Sequence, residues 1–214
     1  MSAYTPVLED DSLLSKLDRN LYKLESHLAL IGGLAAFSLM MLAVVSVTGR
    51  NLFNRPLPGY VDWIEQAMPL LAFVGVSYAQ RLGGHIRMDI LIGRLRGRWL
   101  WGAELASTIV MLALMLLLVW GTWAHFQRSF DFASPNWSRD SSLDISLPLW
   151  PAKLLVTFSF FVLSLRLMLQ IWGYGRAIRT GTSSPIAVPL IESAASAAAN
   201  EAAAVSGFDE EINK

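Results

Sequence analysis

The sequence predicts an all-α integral membrane protein with four transmembrane helices. Two long uncharged runs carry most of this prediction. Residues 26–49 contain 24 consecutive positions without Asp, Glu, Lys or Arg, and residues 105–127 contain 23. About 20 such residues are enough to span a bilayer as a helix. The composition agrees, because 54% of the 214 residues are hydrophobic and only 16% are charged, against about 25% charged in a typical soluble domain.

The spans are expected at about residues 28–48, 61–80, 99–123 and 147–172. The second is less apolar, because Asp62 and Glu65 lie in its first turns. Helices are favoured over β-strands because these runs are continuously apolar, whereas the strands of a membrane barrel alternate. The chain is therefore divided into a leading segment 1–25, a four-helix domain 26–178 and an Ala/Ser-rich tail 179–214. The composition of the tail predicts disorder.

The basic residues predict that both termini are cytoplasmic. Lys and Arg near the cytoplasmic ends of membrane-spanning helices usually outnumber those near the opposite ends. Ten of them fall on the side of the two termini and five on the other side. The larger group comprises Lys16, Arg19, Lys23, Arg81, Arg87, Arg94, Arg96, Arg98, Arg176 and Arg179, and the smaller one Arg50, Arg55, Arg128, Arg139 and Lys153.

The leading segment has its own pattern. Leucines recur every three or four residues between positions 14 and 28, with charged residues between them. This spacing is typical of an amphipathic helix that lies on the inner membrane surface. A plain extension of the first spanning helix would give the same pattern, so both interpretations stay open.

Tryptophans are predicted to form belts at the two membrane surfaces. Seven of the eight fall near the expected ends of spans. Trp63, Trp120, Trp123 and Trp150 belong to the outer belt, and Trp99, Trp101 and Trp172 belong to the inner one.

Four ionisable residues near the span ends are candidates for structural ion pairs. Glu104 lies roughly 8 Å inside the third span and Arg166 roughly 9 Å inside the fourth, at 1.5 Å per residue. Their similar depth predicts a Glu104–Arg166 pair. Arg50 closes the first span and Glu65 follows after a short connection, which predicts a second pair. No ionisable residue lies near the expected midplane, so a framework role is favoured over an ion path.

Other chemistry has little support in the sequence. The chain has no Cys, and its formal net charge of zero gives no reason to expect nucleic acid as a partner. No nucleotide, metalloprotease or serine-hydrolase motif occurs, so we expect no enzyme activity, metal or cofactor. Two alternatives remain. The first is a redox membrane anchor that holds haem or quinone, which His27 and His125 suggest. The second is a small autonomous oligomeric carrier with Glu65 or Glu104 as its coupling acid.

Residues 50–89 carry a family resemblance. The stretch Arg50-Asn51-Leu52-Phe53-Asn54-Arg55-Pro56-Leu57-Pro58 leads to Trp63-Ile64-Glu65, and Gly84-His85-Ile86-Arg87-Met88-Asp89 follows the second span. Three features occur here in order. They are an Arg after the first helix, an aromatic–x–Glu motif at the start of the second helix, and a Gly–His–Ile–x–x–Asp signature after the second helix. The chain thus resembles the small membrane subunit (Q subunit) of tripartite ATP-independent periplasmic (TRAP) transporters.

The resemblance implies a non-catalytic scaffold subunit of an importer of organic acid anions that is driven by an ion gradient. Its implied partners are a large multi-helix transport subunit, a periplasmic substrate-binding protein and the lipids of the bacterial inner membrane. Arg50 and Glu65 would be framework residues near the periplasmic face. His85, Arg87 and Asp89 would order the cytoplasmic connection.

Overall fold

The computed structural model describes residues 12–55, 57–81 and 98–180, together with Val7, Asp10 and Val188; of residues 98 and 99 it describes the backbone only. This part of the chain is helical, as predicted. The helices are α1 (Leu13–Phe53), α2 (Tyr60–Phe73), α3 (Val76–Arg81), α4 (Arg98–Ser129) and α5 (Trp150–Thr180). A 3-10 turn, Pro135–Trp137, lies in the loop between α4 and α5.

α1 is one continuous helix of 41 residues, about 60 Å long at the normal rise. The hydroxyl of Ser12 caps its start by accepting a hydrogen bond from the Ser15 N–H at 3.4 Å. No Gly or Pro interrupts the chain between residues 13 and 31, so nothing favours a bend there. Of the two interpretations of the leading segment, the structure agrees with an extension of the first spanning helix, because residues 13–25 form the first turns of α1.

Among the residues that the structure describes, three helices, α1, α4 and α5, are long and apolar enough to cross a membrane. The second predicted span is divided into α2 and α3, with a turn at Val74 and Gly75. Pro69 lies inside α2 and lacks the N–H that a helix interior uses. Four crossings and the orientation of the termini stay predictions.

α5 is the central helix of the bundle. About 44% of its most apolar stretch is buried, against 6% for α4 and none for α1. α4 packs along it, and α1, α2 and α3 also contact it. We call the end of the bundle that holds the start of α1 and the end of α5 the termini end. The opposite end holds the loop 130–149 and is called the loop end.

The start of α2 is fixed to the loop end. Asp62 accepts hydrogen bonds from the Ser142 hydroxyl at 2.7 Å and from the backbone N–H groups of Asp144 and Ile145 at 3.2 and 2.8 Å. Gly59 precedes α2 with φ of 70°, and a Cβ at this position would approach Ile145 to 2.6 Å. The short turn before α2 therefore needs glycine both for its backbone angle and for its contact.

Candidate functional site

Four charged side chains lie together at the termini end. Asp18 and Glu25 come from α1, Arg81 ends α3, and Arg166 lies in the second half of α5. Each is at most 1% exposed. We call these four residues the ion cluster. Two carboxylates and two guanidinium groups balance in charge, as a buried site requires.

Arg166 is the centre of the ion cluster. Its Nε donates a hydrogen bond to Glu25 Oε1 at 2.8 Å, and its Nη2 donates to Glu25 Oε2. Its Nη1 donates to Asp18 Oδ1. Asp18 and Glu25 are seven residues apart, which places them two turns apart on one face of α1. One guanidinium thus holds two turns of α1 against α5.

Arg81 joins α3 to the same carboxylate. Its Nη2 lies 2.8 Å from Asp18 Oδ2, and its Nε donates to that oxygen at 3.3 Å. The guanidinium lies over the ring of Tyr22, 4.0 Å from the centroid, in a cation–π arrangement. Tyr22 in turn stacks on Tyr78 of α3, with ring centroids 5.9 Å apart.

Neutral polar groups complete the contact between the three helices. The Ser77 hydroxyl donates to Glu25 Oε1. Gln80 Nε2 donates to Gln170 Oε1 at 2.8 Å, and Gln170 is 1% exposed. Because the carboxylates and guanidinium groups bind one another, the arrangement fixes the register of α1, α3 and α5.

Arg166 is buried in ion pairs, but its predicted partner was wrong. α1 extends far enough to bring Asp18 and Glu25 to its guanidinium, so Glu104 is not needed there. Glu104 is 5% exposed, and its Oε2 lies 3.5 Å from the hydroxyl of Tyr174. No donor in the described residues reaches its Oε1.

The predicted Arg50–Glu65 pair is not formed between these described residues. Both side chains are exposed, and none of the ion pairs in the described part of the chain joins them.

Sequence reasoning missed three members of the ion cluster. The available signal was the seven-residue spacing of Asp18 and Glu25 among leucines. If residues 13–25 are treated as an extension of α1, this spacing places both acids on one helix face. Arg81 was counted only as a topology signal, although it lies directly after Gln80 at the end of the second predicted span.

The tryptophans divide into two groups. Four predicted belt residues, Trp63, Trp120, Trp123 and Trp172, are between 44% and 76% exposed. Trp150 is half-buried and donates its indole N–H to the Asn136 carbonyl at 3.1 Å.

Trp101 does not belong to a belt. It is 6% exposed and stacks on Tyr174, with ring centroids 6.1 Å apart. Val188, which lies in the tail expected to be disordered, is fully buried in the same small core with Ala177. Trp101 is buried, unlike a belt residue, because side chains much later in the sequence cover its ring.

Some predicted residues lie outside the described part of the chain. These are His85, Arg87 and Asp89, and the side chain of Trp99.

The described residues offer little for binding a ligand. Within them, no three His, Cys, Asp or Glu side chains are grouped so that they could hold a metal ion. An apolar groove of about 240 Å³ lies between α4 and α5. It is lined by Val119, Trp123, Leu154, Thr157, Phe158 and Phe161.

Residues 39–176 match the family described as tripartite ATP-independent periplasmic transporters, DctQ component. The chain belongs to this family. It is therefore a membrane component of a TRAP transporter, as the resemblance predicted. A search of curated proteins gives no match. The DctQ match includes Arg81 and Arg166 and begins after Asp18 and Glu25, so both cations lie in the family region and both acids precede it.

Proposed function

We propose that this DctQ chain is a non-catalytic scaffold subunit of a TRAP importer of organic acid anions that is driven by an ion gradient. It binds and stabilises a large multi-helix transport subunit and helps to receive the periplasmic substrate-binding protein. The observation that carries this proposal is the ion cluster. Its four buried charges bind one another across three helices.

A transport site needs polar groups that can exchange partners with a substrate or ion, usually near the membrane midplane. The ion cluster has the opposite properties. It lies at the termini end, its carboxylates accept hydrogen bonds from arginines, and each member is at most 1% exposed. The groove between α4 and α5 has an apolar lining. These features support a framework role for this chain.

A framework must keep its shape while a bound partner moves. Breaking a buried ion pair costs about 3–5 kcal/mol in soluble proteins, because one charge is left without a partner. Arg166 alone holds two acids of α1. The cluster therefore makes sliding or rotation of α1 against α5 costly.

The remaining expectations belong to this proposal. Both termini are cytoplasmic, supported by the ten-to-five distribution of Lys and Arg. Residues 61–80, the second predicted span, form a crossing in addition to those of α1, α4 and α5, despite the turn at Val74 and Gly75. Arg50 and Glu65 are framework residues near the periplasmic face, and His85, Arg87 and Asp89 order the cytoplasmic connection. The predicted location is the bacterial inner membrane.

The test has two parts. The chain is tagged at its C-terminus, solubilised from native membranes in mild detergent, and its co-purifying proteins are identified by mass spectrometry. We expect a near-stoichiometric large polytopic partner. Proteoliposomes with this chain alone should then show no uptake of an organic acid anion, whereas the chain with its partner and binding protein should. Uptake by the chain alone, or purification only with itself, would refute the scaffold role.

A further inference from the structure

Two adjacent faces of α2 differ in how their polar groups are satisfied. Asp62 is 4% exposed and has three hydrogen-bond donors from the loop end. Gln66 lies one turn further on and donates to the carbonyl of Pro148. Glu65 lies between them in sequence, is exposed, and has no partner among the described residues. The chain thus satisfies the polar groups of the Asp62–Gln66 face of α2 and leaves a carboxylate on the adjacent face.

Glu65 belongs to a continuous exposed stripe. Val61, Glu65, Met68 and Ala72 are all exposed, and their spacing of four, three and four residues places them along one side of a helix. Val61 is 49% exposed and Met68 is 59% exposed. We call these four residues the Glu65 face. It presents one acid among three apolar residues.

Lipid alone is a poor partner for this surface. The helix is predicted to enter the membrane here, and a carboxylate beside lipid chains is costly unless a cation pairs with it. Arg50 does not meet this need within the chain, because it is exposed and forms no ion pair with Glu65 in the described structure. A partner surface that combines apolar side chains with a basic one would therefore match the Glu65 face.

An exposed stripe on α4 gives the contrast. Val110, Leu114 and Leu117 are 60%, 56% and 64% exposed and follow the same four-and-three spacing. This stripe carries no ionisable residue, so lipid chains can cover it without an unpaired charge. The two stripes are similar in exposure and differ in the carboxylate.

We propose that the Glu65 face is the surface on which the large transport subunit docks, with an arginine or lysine of that subunit paired to Glu65. This inference rests on the proposed function and adds the surface and the chemistry of its partner. Val61, Met68 and Ala72 supply the apolar contact around the ion pair.

Site-specific photo-crosslinking tests the location. A photoreactive amino acid replaces Met68 in one variant and Leu117 in a matched control, each in the full chain co-expressed with its native partners. We expect a crosslink to the large subunit from position 68 and none from position 117. Crosslinks from position 117 alone, or lipid adducts alone at position 68, would overturn the docking surface. Absence of the large subunit from the purified material would instead refute the proposed function.

A charge variant tests the chemistry. Glu65→Gln keeps the size of the side chain and removes its charge, and we expect the amount of co-purified large subunit to fall by about tenfold. Asp144→Asn removes another exposed carboxylate and should leave that amount unchanged. The melting temperature of the isolated chain should be the same for both variants, because Glu65 has no partner in the described part of the chain. Equal co-purification of the Glu65→Gln variant and the parent chain would overturn the ion pair.

Discussion

Arg166 and Glu25 are separated by 141 residues and form a two-point ion pair with no exposure to solvent. Paired hydrogen bonds between a guanidinium and a carboxylate restrict both distance and angle. The contact therefore fixes the first turns of α1 against α5. Asp18 extends this restraint to α3 because it also accepts hydrogen bonds from Arg81.

Removing the Arg166 charge should destabilise the chain. In Arg166→Met, Asp18 and Glu25 lose a shared cation while they stay buried, so we expect a loss of about 1–4 kcal/mol. Unfolding in mixed detergent followed by circular dichroism measures the change. Adding Glu25→Gln to this variant should restore part of the loss.

Arg128→Met is the matched control for this experiment. Arg128 is exposed and forms no ion pair within the described residues, so its loss should change stability by less than about 0.5 kcal/mol. Equal effects of the Arg128 and Arg166 variants would contradict the structural importance of the ion cluster.

Glu104→Gln distinguishes a framework role from a coupling acid. Within the described residues, the Glu104 carboxylate has a single side-chain contact, the 3.5 Å contact with Tyr174, so we expect the substitution to change stability by less than about 1 kcal/mol. Assembly and uptake should persist in the reconstituted complex. Uptake lost with assembly intact would instead favour the autonomous-carrier alternative.

Asp140 should make the loop end sensitive to acid. Hydrogen bonds from Lys153 and Ser129 hold the pKa of Asp140 below its ordinary value of 3.8. A lowered pKa stabilises the folded loop above the unfolded value, and this contribution disappears as the pH falls through the folded pKa. The hydrogen-exchange protection factors of residues 130–149, which are corrected for the intrinsic pH dependence of exchange, should therefore fall below about pH 4.

Asp140→Asn provides the control for that pH profile. It removes the titrating group, so the loss of protection in acid should become smaller. Asp131 contributes in the same direction, since the backbone N–H of Ala133 and then Arg139 lower the pKa of Asp131. An unchanged acid profile in the double variant of Asp131 and Asp140 would contradict this account.

Gly59→Ala should destabilise the attachment of α2 to the loop. The new Cβ would meet Ile145 at 2.6 Å, and φ of 70° is unfavourable for alanine, so we expect a cost of about 1–3 kcal/mol. Gly121→Ala is the control, because a Cβ there meets nothing within 4 Å. Thermal unfolding should show a loss for the first variant and no loss for the second, which also gains helix propensity.

Hydropathy alone could predict the helical class and the spans of α1, α4 and α5, because each needs only a continuous apolar run. The participation of Arg166 in an ion pair also followed from its position within an apolar run. Its partner did not, since depth says nothing about which side of a helix faces which neighbour. Glu104 has a similar depth but faces Tyr174.

Long-range contacts explain the other differences. Whether residues 13–25 continue α1 or form a surface helix depended on contacts between two acids of this segment and cations on α3 and α5. Trp101 resembled a belt residue because only its position near a span end was visible. Its burial depends on Tyr174 and Val188, which come more than 70 residues later.

The ion cluster also imposes an order on biosynthesis. Ribosomes add about 5–20 residues per second, so Arg166 is made roughly 7–28 s after Glu25 at that rate. During this interval Asp18 and Glu25 lack their shared cation, and the first turns of α1 cannot reach their final position. The ion cluster can therefore form only after α5 has been made and inserted. A nascent chain that ends before α5 has Arg81 as a partner for Asp18 but lacks the cation that pairs with Glu25, so its ion cluster is incomplete.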